Sequence, residues 1–220
     1  MTRLLRSRRD SLPRVYVALL RGINVGGKNI VSMQALKESF MRLGFEDVST
    51  YINSGNVLFR SAETDPRKLE RRIDRMLARE YGLKGKTVVR SESEMARLLK
   101  AMTNTWSPDP DWRYNVIFLR HSIDSERVLE SIRPKPDIER VVYVPGTLLW
   151  CARLSVVTRS AMVRLPSQSV YQEMTVRNVN TTTKLLGLMQ RMARAAVASE
   201  SQLATPLPPR SRARSRRSGA

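Results

Sequence analysis

Residues 15–29 read VYVALLRGINVGGKN, an uninterrupted apolar run that passes into a glycine-rich loop. An apolar run of this length that stops at a charged residue, Arg21, predicts a strand buried on both faces over Val15 to Leu20. Beyond the loop, Ser32 has the character of an N-cap, and apolar residues at helical spacing continue to Gly44. The stretch therefore predicts a strand, a loop and a helix in succession.

The rest of the chain repeats these elements in an order that predicts the fold class. After the helix come short strands over 48–52 and 56–59 around a turn at 53–55, a helix over 66–81 and a strand over 86–90. This β-α-β-β-α-β order is typical of ferredoxin-like folds. The second half predicts strands over 114–119, 140–144, 147–151 and 172–176 and helices over 123–132, 156–165 and 181–197. We therefore expect an α+β fold of two ferredoxin-like βαββαβ-type subdomains, a tandem duplication, plus a C-terminal helix.

The domain boundaries follow from composition. The segments rich in Arg, Ser and Pro at both ends have too little apolar surface to offset the entropy of an ordered chain. We expect a disordered basic arm over 1–13 and a disordered Arg/Ser/Pro-rich tail over 198–220. Between them we expect an N-terminal ferredoxin-like subdomain over 14–90, a linker over 91–112 and a C-terminal α+β subdomain over 113–197.

The charge and the cysteine content indicate a partner and a compartment. The chain has 39 Lys and Arg against 20 Asp and Glu, a net charge of +19, and about half of this excess lies in the two terminal segments. Such segments suit non-specific contact with nucleic acid, or serve only solubility. A single cysteine, Cys151, allows no intrachain disulfide and fits a reducing compartment, so we expect a cytoplasmic protein. No apolar run reaches the ~20 residues of a membrane span, so we expect no membrane partner.

The loop from Gly22 to Lys28 matches the spacing of a nucleotide-binding loop, G-x-x-x-x-G-K. Two features argue against that interpretation. The next residue is Asn29 rather than the Ser or Thr that would hold magnesium, and the helix begins near Ser32 instead of at Lys28. The loop is interpreted as a glycine-rich connection between strand and helix.

Two groups of polar residues are candidate binding sites for an anion. In a βαββαβ sheet the end of the first strand and the turn at 53–55 lie at the same end, where backbone N–H groups and basic side chains suit an anion. The residues placed there are Arg21, Gly22, Asn24, Gly26, Gly27, Lys28, Asn53, Ser54 and Asn56. A second group at the start of the last helix consists of Thr175, Arg177, Asn178, Thr181 and Lys184. The alternative is that these residues only form turns and cap the helix.

Familiar catalytic sets are missing from the sequence. With one histidine and one cysteine, the chain has no zinc site of ordinary composition, and we expect neither a metal nor a cofactor. His121 has no serine elbow motif to accompany it, and Cys151 stands in an apolar strand as a buried small side chain.

The same polar segments carry a resemblance to a known family. Residues 16–29 (YVALLRGINVGGKN), residues 50–57 (TYINSGNV) and Thr175 to Asn178 with Thr181 and Lys184 resemble a bacterial family of uncharacterised proteins, domain of unknown function 1697. The resemblance spans about residues 14–190. Val179 departs from it, because the family has an aromatic residue after the Arg-Asn pair. The resemblance implies a two-part α+β fold of ferredoxin-like units and no activity, cofactor or catalytic residue.

Two functional hypotheses remain. The first is a non-catalytic binding module for an anionic ligand, either phosphate-bearing or nucleic acid. The alternative is an enzyme on small molecules that uses Arg21, Lys28 and Arg177 as electrostatic clamps, with Asp47 or Glu173 as the base.

Overall fold

The computed structural model of the chain describes residues 13–27, 29–84 and 86–203. Its first half alternates strands and helices in the predicted order. The elements are β1 (Arg14–Leu20), α1 (Met33–Arg42), β2 (Glu46–Tyr51), β3 (Asn56–Ser61), α2 (Pro66–Tyr81) and β4 (Thr87–Ser91). The four strands form an antiparallel sheet in the order β2-β3-β1-β4. The predicted arm over 1–13 lies outside the described residues, apart from its last residue, Pro13.

The second half forms another four-stranded antiparallel sheet. Its elements are α3 (Glu92–Thr105), β5 (Trp112–Leu119), α4 (Val128–Ile132), β6 (Glu139–Val144), β7 (Thr147–Arg153), β8 (Met174–Asn178) and α5 (Val179–Leu203). Four short 3-10 turns lie between residues 157 and 173. The strand order is β6-β7-β5-β8, which repeats the order of the first sheet. The fold is α+β, with two antiparallel sheets and a C-terminal helix.

Strand β1 is apolar throughout because both of its faces are covered. Tyr16 and Ala18 point into a core formed with α1 and α2, whereas Val17 and Leu19 point into a second core. This second core also holds Phe118 of β5, so it joins the two sheets. Successive side chains of a strand point to opposite faces, and burial on both faces removes the need for alternating polar residues.

Helix α3 lies within residues 91–112, the predicted linker. It begins at a capping box in which Ser91 accepts a hydrogen bond from the Glu94 backbone N–H, while the Glu94 carboxylate accepts one from the Ser91 N–H. Its buried side chains, Met95, Leu98 and Met102, belong to the core between the sheets. This segment is therefore packed against both halves of the protein.

Most elements of the second half differ from their predicted bounds, and the strands β5 (Trp112–Leu119), β6 (Glu139–Val144) and β7 (Thr147–Arg153) do so by one or two residues. The helix predicted over 123–132 is confined to Val128–Ile132, because the Asp124 side chain accepts from Tyr143 and Gly146. The helix predicted over 156–165 is a series of 3-10 turns, because the Ala161 N–H donates to Glu139 rather than to a carbonyl of its own turn. The strand predicted over 172–176 runs from Met174 to Asn178.

The C-terminal helix differs from its predicted bounds of 181–197. It begins at Val179 and ends at Leu203, so residues 198–203 of the predicted disordered tail are helical. Alanines and other helix-forming residues continue beyond 190 and extend the helix. Residues 204–220 lie outside the described residues. In the part of the chain that the structure describes, no helix has the length and apolar composition that crossing a bilayer requires.

A cluster of charged and polar side chains joins α1 to α2 and makes stability depend on pH. The Glu80 carboxylate accepts hydrogen bonds from Ser39, Arg42 and Arg79 at 2.7–2.9 Å. These bonds lower the pKa of Glu80 from 4.5 to about 2. A carboxyl whose pKa is lower in the folded state stabilises the fold above its unfolded pKa and loses that effect as the pH falls through the folded value.

We therefore expect the stability difference between the wild type and Glu80→Gln to be full above about pH 4.5 and to vanish near pH 2. Urea unfolding of both proteins at several pH values between 7 and 2 would measure it. A difference that stays constant down to pH 2 would contradict this assignment of the acid sensitivity to Glu80.

Candidate functional site: the cavity beside Arg21

The glycine-rich loop after β1 has an unusual backbone. Five of its residues have positive φ angles between 52° and 71°: Gly22, Asn24, Gly26, Gly27 and Asn29. Asparagine is one of the few non-glycine residues that adopts this conformation readily. Lys28, the last residue of the G-x-x-x-x-G-K spacing, lies outside the described residues.

The two asparagines hold the loop in shape. The Asn24 amide donates to the carbonyl oxygens of Val31 and Asn53 at 3.0 and 2.9 Å, and its Oδ1 accepts from the Val31 N–H at 2.7 Å. The Asn29 amide donates to the Gly22 carbonyl at 2.9 Å. These side chains therefore fix the loop and tie it to the turn between β2 and β3.

The end of β1 and the turn between β2 and β3 meet at one end of the first sheet. The Leu20 N–H donates to the Gly55 carbonyl at 2.8 Å. Asn56 is fully buried, and its amide donates to Tyr51 and Ser54. The loop and the turn are therefore adjacent, as the strand order requires.

Arg177 of β8 enters this junction from the second sheet. Its guanidinium is buried and hydrogen-bonded only to protein oxygens, with 2.6 Å from Nε to Asn56 Oδ1 and 2.9 Å from Nη2 to the Leu20 carbonyl. All six acceptors are the carbonyl oxygens of Leu20, Ser54, Gly55 and Val176 and the side-chain oxygens of Asn56 and Thr175. Burial lowers the pKa of Arg177 to about 10, so the side chain is charged at neutral pH. Arg177 thus links the two halves and has its donors occupied by the protein.

Arg90 of β4 makes the reciprocal connection, which the sequence analysis missed. It is 3% exposed, and Nη2 donates to the Leu119 carbonyl and, at 2.8 Å, to the Gly146 carbonyl. Leu119 ends β5, and Gly146 is in the turn between β6 and β7. Each sheet therefore contributes one buried arginine that donates to the carbonyl oxygens at the equivalent strand end and turn of the other sheet. An arginine inside the strand sequence TVVRS was the available signal, because a buried charge requires hydrogen-bonding partners.

A cavity of about 530 Å³ opens beside this junction. Of the described residues, the charged ones that line it are Arg21, Lys84 and Arg177, and none of the lining side chains is acidic. The Arg21 guanidinium lies over the Tyr171 ring, 4.6 Å from its centroid. The Arg21 Nε is buried and has no hydrogen-bond partner among the described residues. The cavity is therefore positively charged, and one of the arginines that line it has a buried donor without a partner among the described residues.

Arg120, at the equivalent place in the second sheet, has carboxylate partners for its guanidinium. Arg120 follows β5 as Arg21 follows β1. Its guanidinium contacts three carboxylates: Asp74 at 2.5 Å, Glu173 at 3.5 Å and Glu70 at 3.7 Å. Arg21 has no such anion beside it among the described residues. The two arginines thus differ in their surroundings: carboxylates of the protein balance the charge of Arg120, and none of the described carboxylates balances that of Arg21.

The structure brings some of the predicted site residues to the cavity and leaves others away from it. The predicted residues that line the cavity are Arg21, Gly22, Thr175 and Arg177. The cavity therefore contains members of both groups of polar residues that the sequence analysis treated as separate candidate sites. Asn178 instead caps α5 by accepting from the Thr181 N–H at 2.7 Å, and Lys184 is exposed on that helix. The residues that do not line the cavity are Asn24, Gly26, Gly27, Asn53, Ser54, Asn56, Asn178, Thr181 and Lys184. Lys84 and Tyr171 were not predicted, because no sequence motif marks them.

The remaining chemically reactive side chains lie elsewhere. His121 Nδ1 is 3.3 Å from the buried Glu70 carboxylate, within the ion-pair cluster around Arg120. Burial raises the pKa of the Cys151 thiol, which disfavours the reactive thiolate. Within residues 13–27, 29–84 and 86–203, no group of three or more His, Cys, Asp or Glu side chains is arranged to hold a metal ion.

Comparison with known proteins adds a family and one similar structure. The family described as Protein of unknown function (DUF1697) matches residues 14–150. A solved structure of the conserved bacterial protein SP0830 from Streptococcus pneumoniae is 27% identical, with a TM-score of 0.72. The match covers 80% of this chain and 99% of that one. No curated protein matches the chain.

Proposed function

The chain belongs to the family Protein of unknown function (DUF1697), and from the cavity beside Arg21 we propose that it is a binding module for a small phosphate-bearing anion. The observation that carries the proposal is the buried Arg21 Nε, which has no partner among the described residues and belongs to a side chain that lines a basic cavity with no acidic side chain among its described lining residues. Buried polar groups are nearly always hydrogen-bonded, so an unused guanidinium donor calls for an acceptor. A phosphate oxygen beside a guanidinium is such an acceptor.

The volume of the cavity favours a small ligand over a polymer. About 530 Å³ lies in the range of small-molecule sites, which are concave and have a few placed polar groups. The Arg21 guanidinium, held against Tyr171, would take the phosphate, and the Lys84 ammonium would add a second cation. Arg177 contributes charge without a free donor.

The lining residues favour binding over catalysis. Among the described residues, no Asp, Glu, His or Cys side chain lines the cavity, so the commonest general bases are missing from its lining. The alternative, an enzyme that clamps its substrate with Arg21, Lys28 and Arg177, would need donors from Arg177 that the protein already uses.

The test is a thermal-shift screen of the full chain with inorganic phosphate, sugar phosphates and nucleoside monophosphates, followed by calorimetric titration of any compound that raises the melting temperature. We expect Arg21→Ala to weaken that binding by about ten- to a hundredfold, because a charge-assisted hydrogen bond is lost. Arg71→Ala removes an equal charge from an exposed position of α2 and should bind as the wild type does. Equal binding by both variants would refute the proposal.

We further propose that the two halves are ferredoxin-like units that arose by tandem duplication. The identical strand orders support this, as do the equivalent positions of Arg90 and Arg177 at the ends of the opposite sheets. The 3-10 turns before β8 stand where the first half has the long helix α2.

We also propose a cytoplasmic location and non-specific contact of the basic terminal segments with nucleic acid. The single cysteine supports the first proposal, and the excess of arginine in residues 1–14 and 191–220 supports the second.

A further inference from the structure

Two adjoining cavities lie at the start of β5, and their described lining residues are all different from those of the cavity beside Arg21. Their volumes are about 610 and 630 Å³. Both are formed between the loop that follows α3 and the second sheet, and they share the lining residues Trp106, Pro108, Asp109, Pro110, Trp112 and Tyr114. Three of these six shared residues are aromatic, in a chain that is only 6% aromatic.

The aromatic rings of this region pack beside an apolar floor. Trp106 and Tyr114 pack with their ring centroids 5.2 Å apart, and the Tyr114 hydroxyl donates to the Ser107 carbonyl at 2.8 Å, which fixes the loop. Leu149 and Cys151 of β7 line the first cavity. Trp106, Tyr114, Leu149 and Cys151 are partly exposed or buried, so packing fixes this side of the cavity, whereas the loop residues 107–110 on the other side are exposed.

The rim of the site is positively charged. The guanidinium groups of Arg140 and Arg153 lie 5.2 and 5.6 Å from the Trp112 ring centroid, are exposed, and form no ion pair with any described residue. The second cavity is lined by Arg113, also exposed. Among the residues that the structure describes, Asp109 is the one acidic residue that lines either cavity. The excess of positive charge disfavours a cationic ligand, whereas it complements a flat ring linked to phosphate groups.

We propose that these two cavities bind consecutive nucleotides of a single-stranded nucleic acid. Unpaired bases stack on aromatic rings and guanidinium planes, and single-strand binding sites combine such rings with a basic groove. The bases occupy the space beside Trp106, Trp112 and Tyr114, and the phosphates contact Arg140, Arg153 and Arg113. Two adjoining cavities with charge at both favour a strand over a lone nucleotide. β5 and β7, which carry most of these residues, are the two central strands of their sheet.

Asn178 and Asn180 give the second cavity groups that can bond to base edges. An amide both donates and accepts, so it can pair with the hydrogen-bonding edge of a base. Asn178 accepts from the Thr181 N–H through Oδ1, which leaves its amide N–H₂ for a ligand. This proposal stands independently of the cavity beside Arg21.

The experiment is fluorescence anisotropy of a labelled ten-nucleotide uridine strand with the full chain, at several salt concentrations. We expect Trp112→Ala to weaken binding about tenfold, since stacking on one ring is lost. We expect Arg140→Ala/Arg153→Ala to weaken binding and to lower the slope of log affinity against log salt by about one to two. The matched control Arg67→Ala/Arg71→Ala removes the same charge from exposed positions on α2 and should behave as the wild type.

Trp112→Phe distinguishes stacking from a structural defect, because a ring is retained, and it should bind within a fewfold of the wild type. At a salt concentration that suppresses non-specific binding by the terminal segments, a duplex of the same length should compete poorly, because its bases are already paired and stacked. The proposal is overturned if the Trp112→Ala and Arg140→Ala/Arg153→Ala proteins bind the strand as well as the Arg67→Ala/Arg71→Ala control does. In that case the binding resides in the arginine-rich terminal segments.

Discussion

Replacing Arg177 by alanine should lower the free energy of unfolding by about 3–5 kcal/mol. The substitution leaves the fully buried Asn56 Oδ1 without its guanidinium donor and takes donors away from the Leu20 and Ser54 carbonyls. Each buried polar group left without a partner costs about 1–3 kcal/mol, and the void left by the side chain adds to the loss. Urea or thermal unfolding of the purified variant measures the effect.

Two further variants show whether the guanidinium fork is what matters. Arg177→Lys keeps the charge but cannot reach Asn56 and the carbonyl oxygens with a planar fork, so it should recover only a small part of the loss. Arg97→Ala, at an exposed position of α3, should change stability by less than about 0.5 kcal/mol. An Arg177→Ala protein as stable as Arg97→Ala would contradict the role of Arg177 as the connection between the sheets.

Gly55→Ala should lower the free energy of unfolding by about 2–4 kcal/mol, for two reasons that add. Gly55 has a φ angle of +72°, which an alanine adopts only with strain. A Cβ at this position would lie 2.9 Å from Leu20 Cβ and 3.3 Å from Ile23 Cβ, closer than a well-packed core tolerates. Chemical denaturation of the variant gives the loss directly.

Gly44 provides the matched control, because it isolates the conformational part of the cost. Its φ angle is +77°, and apart from Gly44 and its two chain neighbours, no described residue has an atom within 4 Å of the position that its Cβ would take. Gly44→Ala should therefore cost about 1 kcal/mol. If Gly55→Ala costs no more than Gly44→Ala does, the close approach of the β2–β3 turn to Leu20 is not a tight contact.

The first sheet could be predicted because its local signals agree with its packing. The apolar run of β1 indicates burial on both faces, Asp65-Pro66 starts α2, and Gly82 ends it with a left-handed backbone. The region before β8 could not be predicted, because its conformation depends on distant groups. The Glu139 carboxylate accepts hydrogen bonds from the Ala161 N–H and from Trp150 Nε1. The sequence around Ala161 contains no pattern that indicates a hydrogen-bond acceptor 22 residues away.

The candidate site, too, was predicted only in part. The strand order places Arg21 near the turn at residues 53–55, and the structure has them adjacent. The arrival of Arg177 in that junction depends on contacts between residues more than 120 positions apart, which one sequence does not reveal. The spacing of Gly22 to Lys28 indicated the glycine loop as the site. The cavity lies mostly beside that loop, among residues such as Tyr171 and Lys84.

The buried guanidinium of Arg177 also acts beyond its own hydrogen bonds. No carboxylate pairs with it among the described residues, and the surrounding protein screens its charge far less than water would. Its positive potential therefore extends into the cavity that it lines with Arg21. A fixed potential of this kind attracts anions over distances longer than contact and speeds their association, and the effect declines as ionic strength rises. Arg177, whose hydrogen bonds connect the two sheets, thereby also contributes to the positive potential that attracts anions to the cavity.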